Sequence, residues 1–407
     1  MAGLLVDWGP LRRNRNFRLI LSGQLVSLLG SNVTMVAIPY QVYRETHSSL
    51  WVGLASFLQL PFLIFGALLG GAYGDRYDKR RLLVGSGVLC ALVDLGLAIN
   101  ATTHGHHFVF LLTLAALLAG VTGFSGPIRT SALPKILGEE DLIAGYSLNQ
   151  VVFNFALVAG PSLAGLLLAS FTLEGCYVAD GVTFLILALA TAFLDPLPAS
   201  GATMAASLWR AIGDGFRYVK THAVAQTVYL ADLNAMVFGL PRALFPAVAF
   251  TVYHGGPRTL GLLYAAPGIG AVIMALLTGW IEHVKRRGRV IVLAIVAWGV
   301  AMTLFGLVHY LWCGVIALAV AGASDVVSTV LRNTVLQLAI SDEFRSRLSA
   351  IQLAVVTGGP RLGDAESGLV AAFSSTEFSI VSGGVACVVG VLALAWRRRY
   401  FWDDVAV

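Results

Sequence analysis

The chain has 407 residues, of which 57% are hydrophobic and only 12% charged, with a mean hydropathy of +0.80. A soluble domain carries roughly twice that share of charge, so a water-soluble globular protein is excluded. The net charge of +5 sits in short basic turns between apolar runs, which makes it a set of membrane-topology signals and not a nucleic-acid-binding face.

A helix that crosses a bilayer core needs about 20 apolar residues. Twelve stretches meet that length: 17–43, 50–73, 82–101, 108–131, 146–170, 176–194, 223–250, 258–281, 290–308, 312–333, 349–373 and 377–396. The first is too long for the apolar core of a cleavable signal peptide and lacks a small-residue cleavage site. The longest polar interruption, Asp195 to His222, separates six runs from six. The sequence thus predicts bundles at 1–194 and 223–407 joined by a linker, 195–222. In that linker Trp209, Ile212, Phe216 and Val219 fall at helical spacing among Arg210, Asp214, Arg217 and Lys220, the pattern of an amphipathic surface helix.

The basic residues test the span count. Arg12, Arg13, Arg15 and Arg18 lie in the N-terminal arm, and Arg76, Lys79, Arg80 and Arg81 in the second turn. Arg129 and Lys135 fall in the fourth turn, Lys285 to Arg289 supply the eighth, and Arg332, Arg345 and Arg347 the tenth. With the linker cations and Arg397 to Arg399, these all lie on one side. Arg44 and Arg258 fall on the other side, and Arg242 and Arg361 inside spans. Both termini are therefore predicted cytoplasmic.

The turn Gly71-Ala72-Tyr73-Gly74-Asp75-Arg76-Tyr77-Asp78-Lys79-Arg80-Arg81 returns in weaker form 208 positions later as Gly279-Trp280-Ile281-Glu282-His283-Val284-Lys285-Arg286-Arg287-Gly288-Arg289. That offset is about half the chain. Internal repeats of this kind mark transporters, with the substrate site between the repeats.

Two sets of six spans with a charged second turn resemble the major facilitator superfamily. The turn is similar to that family's G-x-L-x-D-R-x-G-R-R signature. Gly71, Asp75, Arg76, Lys79 and Arg80 match in kind, while Tyr73 replaces the Leu and Asp78 the second Gly. Asn16-Phe17-Arg18 with Leu21-Ser22-Gly23-Gln24, Arg242-Ala243-Leu244-Phe245-Pro246 and Gly363-Asp364 resemble the enterobactin-exporter-like branch. Its members export siderophores, and close relatives export antibiotics. The resemblance implies an all-α fold of twelve transmembrane helices in two six-helix pseudo-repeats. It also implies a gate at the second turn. There Gly71 would permit close helix approach, Asp75 would face a helix N-terminus on span 11, and Arg76, Lys79 and Arg80 would pair with carboxylates across an interface. In span 5, Gly160, Pro161 and Gly165 resemble the exporter-associated G-x-x-x-G-P-x-x-G-G pattern, in which small residues allow close packing and the proline bends the helix.

Ionisable groups inside spans are costly and usually functional. The resemblance places spans 3, 6, 9 and 12 outside the central cavity, so Asp94 and Asp180 on spans 3 and 6 are expected to have structural hydrogen-bonding roles. Asp232, Arg242, Asp325, Arg361, Asp364 and Glu366 lie on spans 7, 10 and 11, which line the cavity in family members. They form the candidate proton or substrate site, with Arg242 and Arg361 as counter-charges; Arg361 and Asp364, three apart, share a helix face. Asn32, Gln150 and Asn154 are candidate polar groups of the cavity, joined by Ser27 and Ser31 on span 1 and Thr122 and Ser125 on span 4.

The expected function is proton-coupled export of a siderophore or hydrophobic drug-like molecule across the bacterial plasma (inner) membrane by a monomer, with the lipid bilayer as its setting and no cofactor. An importer of the same fold is the main rival. An ATP-driven permease would need a separate ATPase subunit, because the chain has no phosphate-binding G-x-x-x-x-G-K-[ST] loop. No HExxH or GxSxG motif points to an enzyme. Cys90, Cys176, Cys313 and Cys387 form no CxxC pair and read as small buried hydrophobes. His104, His106 and His107 read as a solvated turn, not a metal site.

Overall fold

The computed structural model describes residues 8–103, 108–138, 140–198, 217, 219–339 and 345–398. Among these residues every regular element is helical. A short helix α1 (Gly9–Arg13) precedes α2 (Arg15–Thr46), α3 (Ser49–Arg76), α4 (Lys79–Thr102), α5 (Phe108–Leu137), α6 (Leu142–Ser170) and α7 (Leu173–Ala192). After the linker come α8 (Ala223–Phe238), α9 (Pro257–Leu276), α10 (Arg287–Leu307), α11 (Leu311–Ala339), α12 (Arg345–Phe373) and α13 (Thr376–Arg397). Among the described residues ten segments are long and apolar enough to cross a membrane; one of these runs continuously from Ala223 to Val252, taking in α8 and the irregular turns after it. Helices α6 and α12 occupy the positions of the two remaining expected spans. The Trp209–Phe216 part of the expected linker helix and the histidine tract at 104–107 lie outside the described residues.

The polar residues between apolar runs end and restart the helices. Asp78 caps α4, its carboxylate accepting from the backbone N–H groups of Arg80 at 2.8 Å and Arg81 at 3.3 Å. Thr172 caps α7 through Gly175 N, and Ser375 caps α13 through Phe378 N. Several helices outrun their apolar cores: α5 continues to Leu137 and α11 to Ala339. Arg129 and Arg332, which the sequence counts with the cations of the fourth and tenth turns, lie eight and seven residues before the ends of these helices.

The chain clusters into two compact units, Met1–Gln41 with Leu58–Ala206, and Val42–Phe57 with Ser207–Val407. In the first, α4 packs extensively along α7 and also against α5; in the second, α10 packs along α13 and against α11. The pairing of third with sixth and third with fourth long helix thus recurs in both units. In the first unit, Gly66 and Gly70 on α3 lie so close to the Gly120 and Phe124 carbonyls of α5 that a Cβ at either would collide. Gly71 was expected to serve such an approach, but a Cβ there would meet nothing within 4 Å. The start of the linker is strapped to the same unit: Lys79 N donates to Leu197 O at 3.0 Å, Lys135 Nζ to Pro198 O at 2.6 Å, and Asn16 Nδ2 to Asp195 Oδ2 at 2.8 Å.

Candidate functional site

The expected cluster of intramembrane charges resolves into two separate networks in the second unit. In one, Asp232 on α8 pairs with Arg332 on α11, with Nη1 2.7 Å from Oδ1. Both side chains are nearly inaccessible, at 4% and 6% exposure. The other guanidinium nitrogen donates to Thr329 Oγ1 at 3.0 Å and lies 3.8 Å from Asp325 Oδ1, which faces outward. The counter-charge of Asp232 is thus Arg332, not Arg242 or Arg361. The sequence concealed this because Arg332 stands at the end of its span, where it was counted with the topology cations of the following turn, while the helix runs two turns further.

The second network surrounds Asp364 on α12. Its Oδ2 accepts from Ser56 Oγ at 2.6 Å, and its Oδ1 from the Ala243 backbone N–H at 3.0 Å. Ser56 belongs to the part of α3 that clusters with the second unit. Arg242 and Arg361 are electrostatic neighbours of Asp364, but among the described residues neither comes within ion-pair distance of it. Arg361 instead donates from Nη1 to Thr357 O at 2.9 Å on its own helix. Glu366 joins neither network: among the described residues it has no hydrogen bond or ion pair.

Ala243 needs a partner because the chain breaks after α8. Gly239, Pro241 and Pro246 interrupt the helix, which proceeds through a 3-10 turn at Arg242–Leu244, a single α turn and a π turn at Val248–Val252. A broken helix within a membrane survives only if its freed backbone groups find partners. Trp298 Nε1 donates to Gly239 O at 2.6 Å, Tyr264 Oη to Arg242 O at 3.3 Å, and Asp364 accepts from Ala243 N. Gly53 and Gly363 permit this assembly, since a Cβ at either would strike backbone oxygens, of Asp364 and of Met236 respectively.

The first unit holds the other expected groups. At the charged turn, Asp75 is 6% exposed and Lys79 fully buried; Lys79 Nζ donates to Gly74 O at 2.5 Å and lies near Asp75. Lys79 is therefore an internal tie of this unit, while Arg76 is exposed. Asp75→Asn keeps the shape of the side chain but removes the charge beside a buried ammonium. It should abolish or strongly reduce transport while the protein still accumulates in the membrane, a result checked by transport at matched expression. Asn32 Nδ2 donates to Leu28 O at 2.7 Å, and a Cβ on Gly160 would strike the Asn32 side chain, so these two residues join α2 to α6. Pro161 lies within a continuous α6, where Gly165 is buried and Gln150 exposed; the side chain of Asn154 lies outside the described set.

Asp94 and Asp180 are both fully buried. Asp180 Oδ1 lies 3.1 Å from Thr183 Oγ1, but among the described residues neither oxygen of Asp94 has a hydrogen-bond partner, contrary to the structural role expected of it. Ser27, Ser31, Thr122 and Ser125 come together around a cavity of about 230 Å³ inside the first unit, together with Arg129. Cys90, Cys176 and Cys387 are buried, whereas Cys313 is exposed. Phe57, Phe62, Phe65, Phe153 and Phe155 are exposed too. The described residues contain no group of His, Cys, Asp and Glu able to hold a metal ion.

Residues 6–405 match the family described as transmembrane secretion effector. The chain is 28% identical over 399 residues to the enterobactin exporter EntS of Citrobacter koseri, covering 96% of this chain and 94% of the relative. It is 27% identical over 398 residues to EntS of Salmonella typhimurium, with the same coverage. Among solved structures it resembles a D-xylose-proton symporter, with a TM-score of 0.70, 14% identity and coverage of 96% and 97%. A peptide transporter of the POT family gives a TM-score of 0.73 at 11% identity, with coverage of 96% and 95%. These structural likenesses concern the fold. The chain is a multi-pass membrane protein and a transporter, not an enzyme, and it belongs to the transmembrane secretion effector family, an enterobactin-exporter-like branch of the major facilitator superfamily.

Proposed function

We propose that this efflux transporter exports a siderophore or a hydrophobic drug-like molecule in exchange for protons. It would work as a monomer in the bacterial plasma membrane, through twelve spans in two six-helix bundles, 1–194 and 223–407, with both termini cytoplasmic. The substrate class rests on the similarity to enterobactin exporters along almost the whole chain. The observation that carries the coupling is Arg332 held against Asp232 inside the second unit. A charge pair withdrawn from water inside a membrane protein costs several kcal/mol in desolvation, and such groups recur in proton relays and substrate paths. Carboxyl groups whose contacts change between two conformations can bind a proton in one and release it in the other.

The test uses purified protein in inside-out vesicles, with enterobactin and a panel of hydrophobic antibiotics as probes. An imposed pH gradient, acidic inside, should drive accumulation in the absence of ATP, and an uncoupler should abolish it. ATP-dependent accumulation that ignores the uncoupler would refute the proposal. Proton-driven movement only in the opposite direction would favour an importer.

A further inference from the structure

Among the described residues Arg129 is a half-buried cation without an acidic partner. It lies on α5, eight residues before the end of that helix, and among the described residues it forms no ion pair. Its guanidinium Nη2 donates to Ser125 Oγ at 3.3 Å. An uncompensated charge inside a membrane-spanning unit is costly, so it calls for a counter-ion. The cavity beside it lies wholly within the first unit.

The donors that face the cavity can be counted. Ser125 Oγ gives its hydrogen to Thr122 O, Thr122 Oγ1 donates to backbone carbonyls on its own helix, and Ser86 Oγ donates to Leu83 O. These hydroxyls are committed. Ser27 and Ser31, one turn apart on α2, and Thr191 on α7 make no side-chain hydrogen bond to protein among the described residues, although Ser27 and Thr191 are only 4% and 1% exposed. Three free O–H donors and the remaining guanidinium N–H groups thus face the cavity. Such a set favours an anionic oxygen group, since charge-assisted hydrogen bonds from a guanidinium are the stronger kind. The remaining wall is apolar, with Leu28, Leu83, Phe184 and Leu187 among its members. That wall suits an organic body better than a bare inorganic anion. The volume, about 230 Å³, exceeds the roughly 150 Å³ that accommodates one benzene ring.

We propose that this cavity binds a ring-sized organic anion, a carboxylate or phenolate carried on one aromatic ring, held by Arg129, Ser27 and Ser31. As the docking point for an acidic arm of the exported molecule, it rests on the export reading; as an anion site it stands alone. Sequence position had assigned Arg129 to topology. The structure joins it to serines about 100 residues away in the chain.

The test is calorimetric binding of salicylate to the purified full-length protein in detergent, with salicylamide and inorganic phosphate as probes matched in shape and in charge. Salicylate should bind, and the other two should bind at least about tenfold more weakly, the scale of one lost charge-assisted contact. Arg129→Gln should weaken salicylate binding by a similar factor, while Arg258→Gln, the same charge change at an exposed position, should not. Ser27→Leu fills the cavity without touching the guanidinium, and it should also abolish binding if Arg129→Gln fails to fold. Equal binding of salicylamide, equal binding of phosphate, or unchanged affinity in Ser27→Leu would overturn the proposal. Because binding needs no gradient, this result is independent of whether transport is proton-driven.

Discussion

Arg332→Gln is expected to abolish gradient-driven transport and to lower stability by about 3–5 kcal/mol, the cost of removing one partner from a buried pair. Asp232 is 3% exposed and would be left without its cation. Asp325 contributes little to that cost, because its side chain is half exposed and its interaction at 3.8 Å is screened by solvent. Arg332→Lys should recover only part of the stability, since a single ammonium cannot hold Asp232 and donate to Thr329 with the geometry of a planar fork. The informative variant is Arg332→Gln with Asp232→Asn. It buries no unpaired charge, so thermal unfolding in detergent should approach wild type while gradient-driven transport stays absent. Recovery of transport in that double variant would show that the pair only balances charge, and the coupling role would fall.

The helices were legible in the sequence because apolar runs of membrane length leave little choice of conformation in a bilayer. Their polar extensions were not. Composition counts a cation at the edge of an apolar run with the loop that follows, yet α5 and α11 continue for about two turns beyond Arg129 and Arg332, leaving Arg129 half-buried and Arg332 buried against Asp232. Topology counting therefore says nothing of the specific contacts these two arginines make. The break after α8 had its signal in Gly239, Pro241 and Pro246, but the carboxylate that satisfies the freed Ala243 N–H lies 121 positions away. Spacing along one helix also misled: Arg361 and Asp364 share a face, but Asp364 finds shorter contacts on other elements, and Arg361 turns to its own backbone. Gly71 shows the same limit for packing. The motif marked a glycine, but only the three-dimensional arrangement shows that Gly66 and Gly70 make the close approach.

Asp364 separates a structural role from a coupling role most clearly. Its carboxylate closes the break after α8 by accepting from Ala243 N, and it holds Ser56 as well. Asp364→Asn preserves both contacts: the amide oxygen accepts from Ala243 N–H, and the Ser56 hydroxyl rotates to accept from the amide NH₂. Thermal stability should therefore stay close to wild type. The variant can no longer change charge, so transport should lose its dependence on the pH gradient while exchange of substrate at equal concentrations persists. Asp364→Ala removes the acceptor altogether. It should cost about 1–3 kcal/mol, the penalty for a backbone donor left without a partner away from water, and Ala243 should lose protection in hydrogen exchange. The two variants together decide the assignment. If Asp364→Asn keeps the wild-type pH dependence and only Asp364→Ala is impaired, Asp364 is a cap for a broken helix, and the proton passes elsewhere.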